Sequence, residues 1–212
     1  WTEVADLSTA RYDLNTGGGG ASSSLALAFG GNAPGGKQTA TEEFTAAQIT
    51  DSIKTEGQAF YRSDTGDFKV SLTQYGTGAW ATGGTKNTII NDGAGSGSKT
   101  AGLAFGGVAP PGITADTETY DGTSWTEVAN LNAGRRSLTG TGTQTASLAI
   151  AGGEAGSFTA AVEKWDGTNW TEVNDLNTGR RYLGGAGADN TAALAFGGFS
   201  DPAGRYAVTE TW

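Results

Sequence analysis

WTEVANLNAGR, residues 125–135, returns as WTEVNDLNTGR at 170–180 and as WTEVADLSTAR at 1–11, each time with an arginine ten residues after the tryptophan. Trp80, Trp125 and Trp170 are evenly spaced by 45 residues, and a period of that length is the signature of a repeat architecture. Every copy also carries a Gly-Gly doublet: Gly30-Gly31, Gly106-Gly107, Gly152-Gly153 and Gly197-Gly198. An acidic-aromatic tetrapeptide follows each doublet, TEEF ending at Phe44, TETY at Tyr120, VEKW at Trp165 and TETW at Trp212. The chain therefore reads as four copies of one unit.

Each copy divides into four short strands. In the third, Arg136 to Thr143 alternates toward small residues, Ala146 to Ala151 is an apolar run, Thr159 to Trp165 alternates, and Trp170 to Val173 follows a tight turn. Asp166-Gly167 supplies that turn, as Asp121-Gly122 does one copy earlier, because Asp-Gly suits the positive φ of hairpin turns. Four antiparallel strands per 45-residue unit make a propeller blade, so the expected fold is an all-β propeller in one domain, residues 1–212. The innermost strands read LNTGGGG, NDGAGSGS, LTGTGT and LGGAGA, small enough to crowd a narrow axis. Four blades is the expectation, with a fifth made by residues 45–79 as the alternative.

Composition removes several function classes. The chain has no Cys, so neither disulfides nor thiolate metal sites hold it together, and no His, the commonest catalytic base and transition-metal ligand. A net charge of −9, with no basic stripe, repels a phosphate backbone, so no nucleic-acid partner is expected. No apolar run is long enough to span a bilayer, and no membrane insertion is expected. Gly contributes 36 of 212 residues, but at fixed places within alternating segments, which reads as folded strands. The chain starts at Trp1 and has no Met, which reads as a segment or processed product and leaves targeting peptides unread.

The combination of doublet, aromatic about 13 residues later (Gly107 to Tyr120), Trp a few residues on (Trp125) and Arg opening the next innermost strand (Arg135) resembles the kelch repeat. The resemblance covers the chain apart from residues 45–79 and implies a kelch-like β-propeller. It implies no particular function, since that repeat serves enzymes, adaptors and surface proteins alike. The chain opens on a fourth strand, WTEV, and closes on a third, AVTETW, so the N- and C-terminal strands are expected to complete one blade. Completion of one copy by another chain is the alternative, and it would generate a filament or a swapped oligomer.

Residues 45–79 replace a four-residue turn between Phe44 and Trp80. AAQITDSIKTEG reads as a polar connector, and QAFYRS and DFKVSLTQY as strands around Asp64-Thr65-Gly66, an extra hairpin on the first blade. GQAFYRSDTGDFKV beside such blades resembles segments of tail, fibre and virion-surface proteins of marine bacteriophages. The bland alternative is a rim decoration that shields a sheet edge.

Arg11, Arg135 and Arg180 open innermost strands and would converge on one mouth of a ring, where they could hold a carboxylate or sulfate. Structural pairing is favoured: copies with the arginine also carry Glu3, Glu127 and Glu172, whereas the second copy has Thr82 and Ile90 and lacks both. Three arginines are also a sialidase feature, but no Tyr-Glu pair accompanies them, and a copper radical oxidase lacks its Cys and His ligands here. Asp13 and Asp92 could hold Ca²⁺ near the axis, but no dense carboxylate loop supports it. GAGSGS and GGAGAD recur without a following Lys-Ser/Thr and read as packing rather than phosphate loops. Trp125 and Trp170 read as repeat-core residues rather than sugar platforms, and the sequon Asn169-Trp170-Thr171 as part of a turn. Phe60, Tyr61, Arg62 and Tyr75 on the unrepeated hairpin join the three arginines as binding candidates.

The expected function is a non-enzymatic structural or recognition module of an extracellular particle, a phage fibre or virion surface. Its expected partners are further copies of itself, other virion or surface proteins, or glycans, with no metal and no cofactor. The alternatives are a secreted lectin-like propeller, a self-assembling filament subunit and, remotely, a glycosidase.

Overall fold

The structure, a computed structural model, describes residues 7, 12, 25–37, 41–48, 59–62, 67–70, 75–154, 157–200 and 204–212. All regular elements among them are strands, arranged as antiparallel meanders in chain order. The first sheet comprises Leu25–Phe29, Thr41–Gln48 and Tyr75–Thr82. The second comprises Ala94–Ser98, Ala101–Phe105, Thr117–Tyr120 and Trp125–Val128. The third comprises Thr139–Gly142, Ser147–Ile150, Val162–Trp165 and Trp170–Val173, each inside the range its sequence predicts. The fourth contains Gly184–Asp189, Ala192–Phe196 and Thr209–Thr211 among the described residues.

The turns form for the expected reason. Asp121 Oδ1 accepts from the amides of Thr123 and Ser124, both at 2.8 Å, and Asp166 Oδ1 does the same with Thr168 and Asn169. Gly122 and Gly167 take φ of 94° and 95°, a region open to glycine. One aromatic pair then faces across each turn, Tyr120 opposite Trp125 and Trp165 opposite Trp170.

Strand alternation sorts each sheet's side chains between two neighbours. Leu103 and Phe105 of the second sheet pack with Leu138, Ala149, Trp165 and Trp170 of the third. Ala104, on the opposite face, clusters with Tyr120 and Trp125. Leu148 and Ile150 of the third sheet meet Leu183, Ala193 and Ala195 of the fourth copy. Complete burial of Phe105 contributes about 1.5–3 kcal/mol. Each fourth-strand indole also bonds back to the preceding sheet: Trp125 Nε1 donates to Thr41 Oγ1 at 3.0 Å and Trp170 Nε1 to Thr117 Oγ1 at 3.1 Å.

The leading strands of the second, third and fourth sheets lie side by side: Ala94–Ser98 meets Thr139–Gly142, which meets Gly184–Asp189. The small residues there are needed for close approach. A Cβ on Gly140 would lie 2.6 Å from the Gly95 carbonyl oxygen and 2.7 Å from the Phe105 ring.

Two sequence expectations need correction. The third doublet is shifted by one residue: Ala151-Gly152, with φ of 56° and 107°, occupies the place of Gly106-Gly107 at 64° and 104°. Ala151 N donates to Ala161 O as Gly106 N donates to Asp116 O, whereas Gly153 bridges to Arg136. A single alanine tolerates this left-handed backbone at about 1–2 kcal/mol, so glycine is not obligatory there. The inserted segment is also shorter than the predicted 45–79. Thr41–Gln48 and Tyr75–Thr82 remain paired as far as Gln48 and Tyr75, so Thr45–Gln48 and Tyr75–Ala79 belong to the sheet, with an irregularity between Ala46 and Gln48. The hairpin itself pairs Ala59–Arg62 with Asp67–Val70.

If the leading strands carry the packing between sheets, Gly140→Ala will overpack the junction and destabilise the protein by about 1–3 kcal/mol. Gly112→Ala, where an added methyl meets nothing within 4 Å, will change stability by less than about 0.5 kcal/mol. Urea denaturation of the two variants measures the contrast.

Candidate functional site

The strongest repeated polar arrangement surrounds the glutamate of the acidic-aromatic tetrapeptide. Glu163, in the third strand of the third sheet, is 2% exposed. Its Oε1 accepts from Arg135 Nη1, and its Oε2 accepts from both the backbone and side-chain amides of Asn132, each at 2.8 Å. In the fourth copy Glu210 receives Arg180 Nη1 at 2.6 Å and the two amides of Asn177 at 2.8 and 2.7 Å. In the second copy Glu118 receives Lys86 Nζ at 2.6 Å, Thr88 N at 3.0 Å, and the two amides of Asn87 at 2.9 and 3.1 Å. Asn87, Asn132 and Asn177 are 45 residues apart. Each cation–asparagine pair lies on the connector entering a sheet, and each glutamate lies on that sheet's third strand. The clamp thus ties the crossover to the sheet it enters. Glu42 of the first copy is buried too, at 2% exposure.

This geometry corrects the expected pairing. Glu127 and Glu172 are exposed and do not pair with the arginines, whose partners are Glu163 and Glu210. The second copy has lost Arg at position 90 but not the cation, since Lys86 approaches the same carboxylate from the other side of the asparagine. The joint absence of Glu and Arg at Thr82 and Ile90 therefore reflects no shared contact. Arg135 and Arg180, 1% and 0% exposed, offer no open face to an anion, while Arg11 lies outside the described residues. Phe60, Tyr61 and Arg62 share a strand of the inserted hairpin, and Tyr75 opens a strand of the first sheet instead. In the sequence the asparagines are marked only by their 45-residue spacing, a weaker signal than charge or aromaticity.

A second repeated feature is a line of left-handed residues, Asp92, Ser137 and Tyr182, with φ of 63°, 54° and 56°. Ser137 N donates to Asp92 O at 2.8 Å and Tyr182 N to Ser137 O at 2.9 Å, linking successive copies. Asp92 Oδ2 also accepts from Ser137 Oγ at 2.9 Å, which makes Asp92 a hydrogen-bonded structural residue. Asp13 is outside the described residues. No group of three or more acidic side chains gathers as metal ligands would among the described residues. No helix there is long and apolar enough to cross a membrane.

Burial pushes the Glu118 carboxyl up, but the Lys86 ammonium and the amides of Asn87 and Thr88 outweigh it and hold the group below the ordinary glutamate range. Burial raises Glu210 as well, and the Asn177 amide and Arg180 reverse that shift. With folded values depressed, these groups contribute stability that is present above the unfolded value and lost as pH falls through the folded values.

No family model matches the chain, and no curated protein matches it significantly.

The clamp generates two expectations. Glu163→Ala leaves Arg135 buried and unpaired and will cost about 3–5 kcal/mol, whereas Glu127→Ala on the exposed strand will stay within about 0.5 kcal/mol; chemical denaturation separates them. Acid titration of stability will fall off below the ordinary glutamate value of 4.5, and Glu118→Gln will flatten that loss, as urea midpoints measured across the acid range will record.

Proposed function

We propose that the chain is a four-bladed, kelch-like β-propeller that acts without catalysis, as a structural or recognition module on an extracellular particle of the phage-fibre or virion-surface kind. The observation that carries the fold reading is one inter-sheet contact repeated along the chain. Gly31 N donates to Ile90 O at 3.4 Å, Gly107 N to Arg135 O at 2.9 Å, and Gly152 N to Arg180 O at 2.9 Å. A contact repeated between successive like units supports a repeating arrangement of sheets, and a fourth such contact, from Gly198 to Arg11, would close a ring.

The fourth sheet supports the same reading. Beside Thr209–Thr211 lies a cavity of about 630 Å³ lined by Leu148, Ile150, Val162, Leu176, Ala195 and Trp212, among others. Trp170 fills the corresponding place one sheet earlier, against Phe105 and Trp165. Trp1–Val4 has the sequence of a fourth strand, WTEV.

The non-catalytic reading rests on how the acids are used. Glu118, Glu163 and Glu210 are each spent on a cation and an asparagine, and Asp121 and Asp166 on turn amides. A glycosidase needs two carboxyls facing one open site. The unrepeated hairpin is where a repetitive scaffold gains specificity, in contacts with a glycan, another surface protein or another copy of the chain.

Replacing residues 49–74 by an Asn-Gly turn will join the paired strands at Gln48 and Tyr75 and leave a folded protein. That variant will lose the glycan or self-association signal that the parent gives on glycan arrays and in sedimentation. Neither protein will turn over aryl glycosides. Unchanged binding and assembly would move recognition off the hairpin, and turnover by the parent would overturn the non-enzymatic reading.

A further inference from the structure

The junction of the third and fourth copies breaks the repeat. Where the second copy has Asn91, Asp92 and Val108, and the third has Arg136, Ser137 and Gly153, the fourth has Arg181, Tyr182 and Phe199. At the positions of Tyr182 and Phe199 the second and third copies carry Asp92 and Ser137, and Val108 and Gly153, so the repeat does not require aromatics there. Tyr182 is nevertheless 62% exposed on a left-handed backbone. The Arg181 guanidinium lies 4.7 Å over the Phe158 ring and 5.4 Å over the Tyr182 ring, and Phe158 packs on Phe199 at 5.7 Å. A cavity of about 510 Å³ opens between Tyr182, Gly198, Phe199, Arg205 and Tyr206. The Nε atoms of Arg136 and Arg181 are buried without an acceptor in the protein.

We infer that this cavity binds an acidic sugar, a uronate or sulfated pyranose. The inference deepens the recognition reading and rests on it. The volume suits one or two sugar rings rather than a protein segment. Aromatic faces offer the apolar platform for a pyranose, and the phenols of Tyr182 and Tyr206 offer partners for its hydroxyls. Arg205, exposed and lining the cavity, provides a planar cationic partner for a carboxylate or sulfate, while Arg181 lies over the Phe158 and Tyr182 rings. On a chain of net charge −9 this local cationic-aromatic patch selects a small anion, whereas a long polyanion meets repulsion from the rest of the surface.

The test is an NMR titration of the full chain with methyl β-glucuronide, methyl β-glucoside and uridine monophosphate, repeated on Tyr182→Ala, Arg205→Ala and Tyr12→Ala. Saturable shifts are expected for the glucuronide, with binding weaker by about tenfold for the glucoside and for Arg205→Ala, the effect of one charge-assisted hydrogen bond. Tyr182→Ala will weaken the glucuronide as well, and Tyr12→Ala, an exposed tyrosine on the first copy, will leave it unchanged. Matching thermal midpoints of the variants will establish that they fold. Absent saturation, equal affinity for the glucoside, tighter binding of the nucleotide, or indifference to both cavity variants would each overturn the inference. If the glucuronide fails while replacement of the hairpin abolishes native contacts, this site falls and the recognition reading stands.

Discussion

The fold depends on a largely buried glutamate in the third strand of the second, third and fourth sheets and on the connector that must reach it. A carboxylate removed from water is tolerated only when its lone pairs are filled and its charge is balanced. Glu118, Glu163 and Glu210 meet both demands with a cation and an asparagine from the segment that crosses between sheets. The pairing therefore sets where each crossover lands, and hence how one sheet sits against the next. The replacement of an arginine at position 90 by Lys86 in the second copy illustrates the constraint. The charge is kept while its place in the sequence is not, because the carboxylate needs a cation and is indifferent to the residue that carries it.

Much of the architecture was legible because it follows from local rules. Turns at Asp121-Gly122 and Asp166-Gly167, four strands in the third copy and small residues in the leading strands all follow from backbone preference and alternation. The clamp was harder to read because its partners lie about 30 residues apart and spacing alone does not say which acid faces inward. Glu163 and Glu172 are directly opposite in adjacent strands, yet one is buried and the other exposed. The shifted doublet at Ala151-Gly152 escaped for a different reason: composition marks where glycine is present, whereas the backbone asks only for a tolerable left-handed residue. The bounds of the insertion are harder to read, because nothing in Thr45–Gln48 marks it as strand in the sequence, whereas pairing with Tyr75–Ala79 holds it in the sheet.

The division between repeated and unrepeated residues organises the functional reading. Repeated polar groups are spent on turns, clamps and links between sheets, which leaves them poor candidates for chemistry on a ligand. The two departures from the repeat are the hairpin carried by the first sheet and the aromatic-arginine cavity at the fourth copy. Both lie outside the repeated turns, clamps and links, which is where a surface can diversify while the repeated framework is kept.

On the proposed reading, the four sheets close into one ring within a single chain, with Trp1–Val4 beside Thr209–Thr211. By analogy with the pairing of Trp165 with Trp170 and of Lys164 with Thr171, the proposed closure would set Trp212 opposite Trp1 and Thr211 opposite Thr2. Because the chain has no cysteine, the double variant T2C/T211C reports that contact alone, at an antiparallel spacing suited to a disulfide. Under mild oxidation at low protein concentration, closure within the chain predicts a monomer with an internal disulfide, visible by mass and by faster non-reducing migration. Disulfide-linked dimers and higher species, or two thiols that stay reduced, would contradict it.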